Sequence, residues 1–144
     1  MRTKGFTLVE IMIVIAIVAA LITLAVPNLL RSRVIANEGA AMGNLKAINN
    51  GCQLYHVNEE TYPTTLSDLS EPSAEPPYIE AALASGRKQG YTFDYNLSDS
   101  DHFTINANPV STGMLRGRFF YMDETGVIRA KVGGPAGPDD EIVS

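Results

Sequence analysis

The chain has a single cysteine, Cys52, so no internal disulfide is open to it and its fold must be held by packing alone. It has only two histidines, His56 and His102. There is no HExxH run, no Cys–His pairing and no glycine loop after a strand, so the compact signatures of metal, nucleophile and phosphate chemistry are missing. The chain does not read as an enzyme, and both histidines read as surface residues. Basic residues are scarce where a nucleic acid would need them. From Thr61 onward six Lys and Arg stand against twelve Asp and Glu. A phosphate backbone demands the opposite balance, so no direct nucleic-acid binding is expected. The acidic excess instead keeps this part soluble. Finally, residues 11–30 carry no charge at all.

That uncharged run is the most informative feature present. Twenty residues at about 1.5 Å each cover about 30 Å, the thickness of a bilayer core. In a chain of 144 residues, one membrane segment leaves room for one small soluble domain. The basic lead, Arg2 and Lys4, sets a cytoplasmic N-terminus, although Arg31 and Arg33 flank the far end. Two general readings fit this pattern. One is a secretory signal peptide with Val18-Ala19-Ala20 as its cleavage site, and the other is a plain membrane anchor. Against the first stand an acidic residue in the opening turns, Glu10, and an apolar run that continues to Leu30.

Glu10 argues against both. An ionised carboxylate inside a spanning helix costs roughly 2.5–3.5 kcal/mol on insertion scales, which marks it as a functional candidate in need of a partner. No Lys, Arg or His lies within the next turns. If the chain is cut after Gly5, however, Phe6 gains a positive amine at the rim of the apolar segment. Glu10 then stands at i+4 from that amine along one helix, or meets the amine of a neighbouring copy. A pair across two copies neutralises both charges only in one register, so it would guide packing as well as adhesion.

The stretch Lys4-Gly5-Phe6-Thr7-Leu8-Val9-Glu10, followed by the apolar run and Pro27, resembles the class III signal sequence of type IV pilins and type II secretion pseudopilins. The resemblance implies cleavage by a prepilin peptidase between Gly5 and Phe6, N-methylation of Phe6, and subunit assembly through Glu10. It also implies an inner-membrane precursor, an inner-membrane assembly platform as partner, and a helical homopolymer of identical subunits. The product is an extracellular pilus if the chain is a pilin, or a periplasmic filament if it is a pseudopilin.

Beyond the anchor, Pro27 interrupts what otherwise reads as one continuous helix. It removes a backbone hydrogen bond and marks a kink, or the end of the anchor. Ala41, Leu45, Ile48, Cys52 and Tyr55 recur every three or four residues, the stripe of an amphipathic helix, with Lys46, Asn50 and Gln53 opposite. Cys52 on this stripe reads as a core residue. Gly39, Gly43 and Gly51 weaken the helix; they are either simply tolerated or places where helices approach closely in an assembly. Residues 61–77 read as a loop with one short turn at Thr65–Leu69, and residues 77–86 as a short helix between proline and glycine. The phrase Glu60-Thr61-Tyr62-Pro63-Thr64-Thr65 also resembles major pseudopilins and related short pilins.

From Tyr91 the period changes to two. Strands are expected at 91–97, at 103–107 with a stop at Asn108-Pro109, and at 118–122 and 127–132 around the turn Asp123-Glu124-Thr125-Gly126. The expected fold is α+β: a long N-terminal helix packed on an antiparallel sheet of about four strands. Its parts are a cleaved leader at 1–5, a membrane or filament-core half-helix at 6–30 and an amphipathic half-helix at 31–60. A loop with short helices follows at 61–90, then the sheet and acidic tail at 91–144. Residues 133–141 read as a solvated acidic loop. No cofactor is otherwise expected, but the resemblance to major pseudopilins raises calcium there, with Asp139, Asp140 and Glu141 as candidate oxygen ligands. The resulting expectation is a structural pilin. The alternatives are a pseudopilin or, from a different class, an envelope binding protein or enzyme carried by a signal peptide or an anchor.

Overall fold

The computed structural model describes residues 5–110 and 116–144. Most of the leader, including Arg2 and Lys4, lies outside the described residues. Helix α1, Leu8–Glu59, is followed by a 3₁₀ turn, Leu66–Leu69, and a one-turn helix α2, Ala81–Ala84. Six strands complete the chain: β1 Arg87–Lys88, β2 Tyr91–Leu97, β3 Phe103–Pro109, β4 Phe119–Asp123, β5 Arg129–Lys131 and β6 Glu141–Ile142. The chain divides into two units, one up to Arg33 and one from Val34 to Ser144.

The first unit has no core of its own. Every residue from 5 to 33 is exposed, although the segment is almost entirely apolar. The helix runs through Pro27 without a break, so proline does not end it. Proline has no N–H to give the carbonyl of Thr23. The polar side chains nearby fold back on the helix itself. Thr23 donates to the carbonyl of Ala20 at 2.7 Å, Asn28 to that of Leu24 at 3.2 Å and Ser32 to that of Asn28 at 3.0 Å. Such bonds satisfy side-chain groups where water is absent.

The second unit is built on the stripe read from the sequence. Ala41, Leu45, Ile48 and Cys52 are buried, and Tyr55 packs at the edge of the same core. Against them lies one face of a sheet of order β1-β2-β3-β4-β5-β6, every neighbouring pair antiparallel. The register sets Phe93 opposite Ala107, Ala107 opposite Phe120 and Phe120 opposite Ala130. Large and small side chains thus alternate across four strands. Gly51 completes the fit. A methyl group there would sit 2.8 Å from Ile79 Cγ2, so this glycine serves packing within the domain rather than contact with another helix. A methyl at Gly39 or Gly43 would meet nothing within 4 Å.

The sheet has six strands where the sequence suggests about four. The additional two, β1 and β6, are edges of two residues each, too short to carry a period. β3 runs through Asn108 to Pro109, opposite Tyr91. The helix expected at 77–86 shrinks to Ala81–Ala84. Its first part stays extended because the backbone N–H groups of Tyr78 and Ile79 both donate to the carbonyl of Leu69, at 2.8 and 3.1 Å. The tail is not wholly solvated. Ala136 is buried, its carbonyl accepts from Asn106 Nδ2 at 3.0 Å, and Glu141 belongs to β6.

One charged contact ties α1 to the start of β4. Glu38 accepts from the backbone N–H of Arg118 at 2.9 Å and from its Nε at 3.0 Å. The Glu38 side chain is only 14% exposed, so this pair is shielded more than most surface ion pairs.

Candidate functional site

The residues singled out for processing and assembly lie together at the N-terminus. Gly5, Phe6 and Thr7 are not helical, and α1 begins at Leu8. Thr7 caps it: its Oγ1 accepts from the backbone N–H of Glu10 at 3.2 Å, and its carbonyl accepts from Ile11 at 3.3 Å. Glu10 is therefore the third helical residue, in the Thr-x-x-Glu spacing of a capping box. That role escaped the sequence reading, although the spacing Thr7-Leu8-Val9-Glu10 carries its signal. A carboxylate in the first turn also faces the positive end of the helix dipole.

Because Phe6 precedes the helix, no helical backbone sets an i,i+4 pairing between its amine and Glu10. Phe6 is 80% exposed and its apolar neighbours along the helix are exposed with it. Among the described residues Glu10 forms no ion pair. α1 is long and apolar enough to cross a membrane near its N-terminus.

The head offers no comparable arrangement. Cys52 is buried, and burial pushes its thiol up to about 12, against a hydrogen bond with Tyr95 that lowers it; a thiol so shielded is inert. The calcium candidates Asp139, Asp140 and Glu141 lie at and just before β6. Asp140 accepts from the backbone N–H of Gly137 at 2.8 Å and lies 3.5 Å from Lys131 Nζ, whereas Glu141 is on an exposed edge strand. No group of three or more His, Cys, Asp or Glu among the described residues is placed to hold a metal. The two histidines, read as surface residues, both face carboxylates. His56 Nε2 lies 3.7 Å from Asp101, and His102 Nδ1 lies 2.8 Å from Asp99.

Comparison with known proteins meets the same N-terminus. Residues 1–26 match the family model described as the prokaryotic N-terminal methylation motif. The chain is similar to a type II secretion system core protein G of Escherichia coli (strain K12), 37% identical over 90 residues, which are 62% of this chain and 61% of that protein. It is 40% identical over 79 residues to the core protein G of Klebsiella pneumoniae, covering 52% of this chain and 56% of that one. It is also 34% identical over 68 residues to the type IV major pilin protein PilA of Myxococcus xanthus (strain DK1622), covering 47% and 31%. The matches thus span less than two thirds of these relatives' lengths. No solved structure gives a significant match.

Proposed function

Because the chain is related to type II secretion pseudopilins and type IV pilins and carries their prepilin-type N-terminus, we propose that it is a structural subunit of a type IV pilus-like filament. In this reading a prepilin peptidase removes residues 1–5 and Phe6 becomes the N-methylated first residue. The apolar half of α1 holds the precursor in the inner membrane until an assembly platform transfers it to the polymer. There, neighbouring copies replace lipid around residues 6–30, and Glu10 pairs with the Phe6 amine of another subunit. The work is structural rather than catalytic.

The observation that supports this most is the combination of an exposed apolar half-helix with one carboxylate in its first turn that forms no ion pair among the described residues. Lipid satisfies the first property but not the second, whereas a bundle of identical helices with free amines satisfies both. A surface pilus is the first reading. A periplasmic pseudopilus of a secretion system is the second, favoured by the core protein G relatives.

Deleting the host's prepilin peptidase tests the proposal. The chain should then keep its leader and disappear from every filament fraction. Filaments that still contain it would overturn the reading. In the intact host, recovery of the chain in fibres sheared from the cell surface supports the pilus. Its confinement to the envelope, with loss of exported proteins on deletion of its gene, supports the pseudopilus.

A further inference from the structure

One end of the head gathers charge that the proposed assembly does not use. Three segments meet there: the end of α1 with His56, the β2–β3 turn with Asp99, Asp101 and His102, and the β4–β5 turn with Glu124. The β2–β3 turn is built locally. Asp99 Oδ1 accepts from the backbone N–H of Asp101 at 2.9 Å, and the N–H of Ser98 donates to the carbonyl of His102 at 2.9 Å. The β4–β5 turn is closed by the N–H of Gly126, which donates to the carbonyl of Asp123 at 2.9 Å. It is anchored from α1 by Gln53 Nε2, which donates to the carbonyl of Glu124 at 3.2 Å.

We infer that His102 is a proton-operated clip between the β2–β3 and β4–β5 turns. Each of its ring nitrogens faces a carboxylate from a different turn. Nδ1 stands 2.8 Å from Asp99 Oδ1 and Nε2 stands 4.0 Å from Glu124 Oε1. An ionised carboxylate only accepts, so the short contact requires the proton on Nδ1. In the neutral ring Nε2 is then a bare acceptor turned toward another acceptor, and the turns are not joined through it. Protonation places a donor on Nε2. The imidazolium donates to Asp99 and Glu124 together, and the 4.0 Å gap closes to a charge-assisted hydrogen bond.

The groups facing His102 all favour its charged form. They are Asp99 and Asp101 on its own turn and Glu124 across the gap, while His56 approaches Asp101 from α1. The hydrogen bond to Asp99 and then its charge raise the pKa of His102 above its ordinary value, with Glu124 and Asp101 adding to the effect. Asp99 is lowered in turn, first by the backbone N–H of Asp101 and then by His102. A raised folded-state pKa means that the clip is complete below the ordinary histidine value of about 6.5 and is lost as pH rises through the raised one. His102 is therefore a pH-sensitive fastener at this end of the head.

Hydrogen–deuterium exchange of the full-length chain in detergent, at pH 5.5 and 9.0 after correction for intrinsic rates, tests this. In the wild type, peptides over both turns should exchange about threefold more slowly at the lower pH, the scale of one exposed charge contact. His102→Gln should abolish the difference in both turns. Glu124→Gln should abolish it in the β4–β5 turn and leave it in the β2–β3 turn. Exchange that does not depend on pH, or a pH dependence that survives His102→Gln or vanishes only with His56→Gln, would overturn the assignment.

Discussion

Glu10 carries the argument at the scale of the residue. It is the one charged side chain between residues 5 and 30, and among the described residues no cation pairs with it. A carboxylate kept in apolar surroundings at a cost of a few kcal/mol calls for a partner from outside the chain. Glu10→Ala is expected to leave cleavage after Gly5 intact and to reduce filament yield severalfold. Immunoblots of membrane and filament fractions read both effects, and a normal yield would contradict the role given to it. This residue was legible in the sequence because a single charge in an uncharged run needs no three-dimensional knowledge. The contacts of His102 were not. They join His102 to Asp99 and, across the sheet turns, to Glu124, and no local pattern announces that those turns meet. Glu38 was equally silent, since its partner Arg118 lies 80 positions away.

Among the elements, α1 and the three longest strands were readable because each is long enough to repeat its period. The stripe from Ala41 to Cys52 fell where the spacing put it, as did the alternation in β2 and β3. β1 and β6 were invisible because two residues have no period, and their existence depends on neighbouring strands. α2 was overdrawn because backbone bonds to Leu69 compete with helix at Tyr78 and Ile79. The helical glycines yield a prediction with two signs. Gly51→Ala drives a methyl into Ile79 and should lower stability by about 1–3 kcal/mol. Gly43→Ala meets open space and should raise it by about 0.5–1 kcal/mol by removing backbone freedom from the unfolded chain. Thermal unfolding of the solubilised chain measures both. If Gly43→Ala stabilises the subunit yet impairs filaments, that glycine serves close approach between copies. Glu38→Ala leaves the Arg118 backbone N–H and guanidinium without their acceptor and should cost about 1–3 kcal/mol in the same measurement.

The whole molecule combines a unit that buries nothing with a unit that closes on its own core. Soluble proteins seldom leave so continuous an apolar surface in water. The first unit therefore belongs either in lipid or among copies of itself, and the account assigns it to both in sequence. Processing is the event that separates this account from its rivals, because only removal of residues 1–5 creates the amine that Glu10 requires. The intact mass of the mature chain, taken from its own cell envelope, tests that most directly. The account predicts a chain that begins at Phe6 and carries one added methyl group. A chain still starting at Met1, or one beginning after Ala20, would contradict it and return the protein to the class of anchored or secreted envelope proteins.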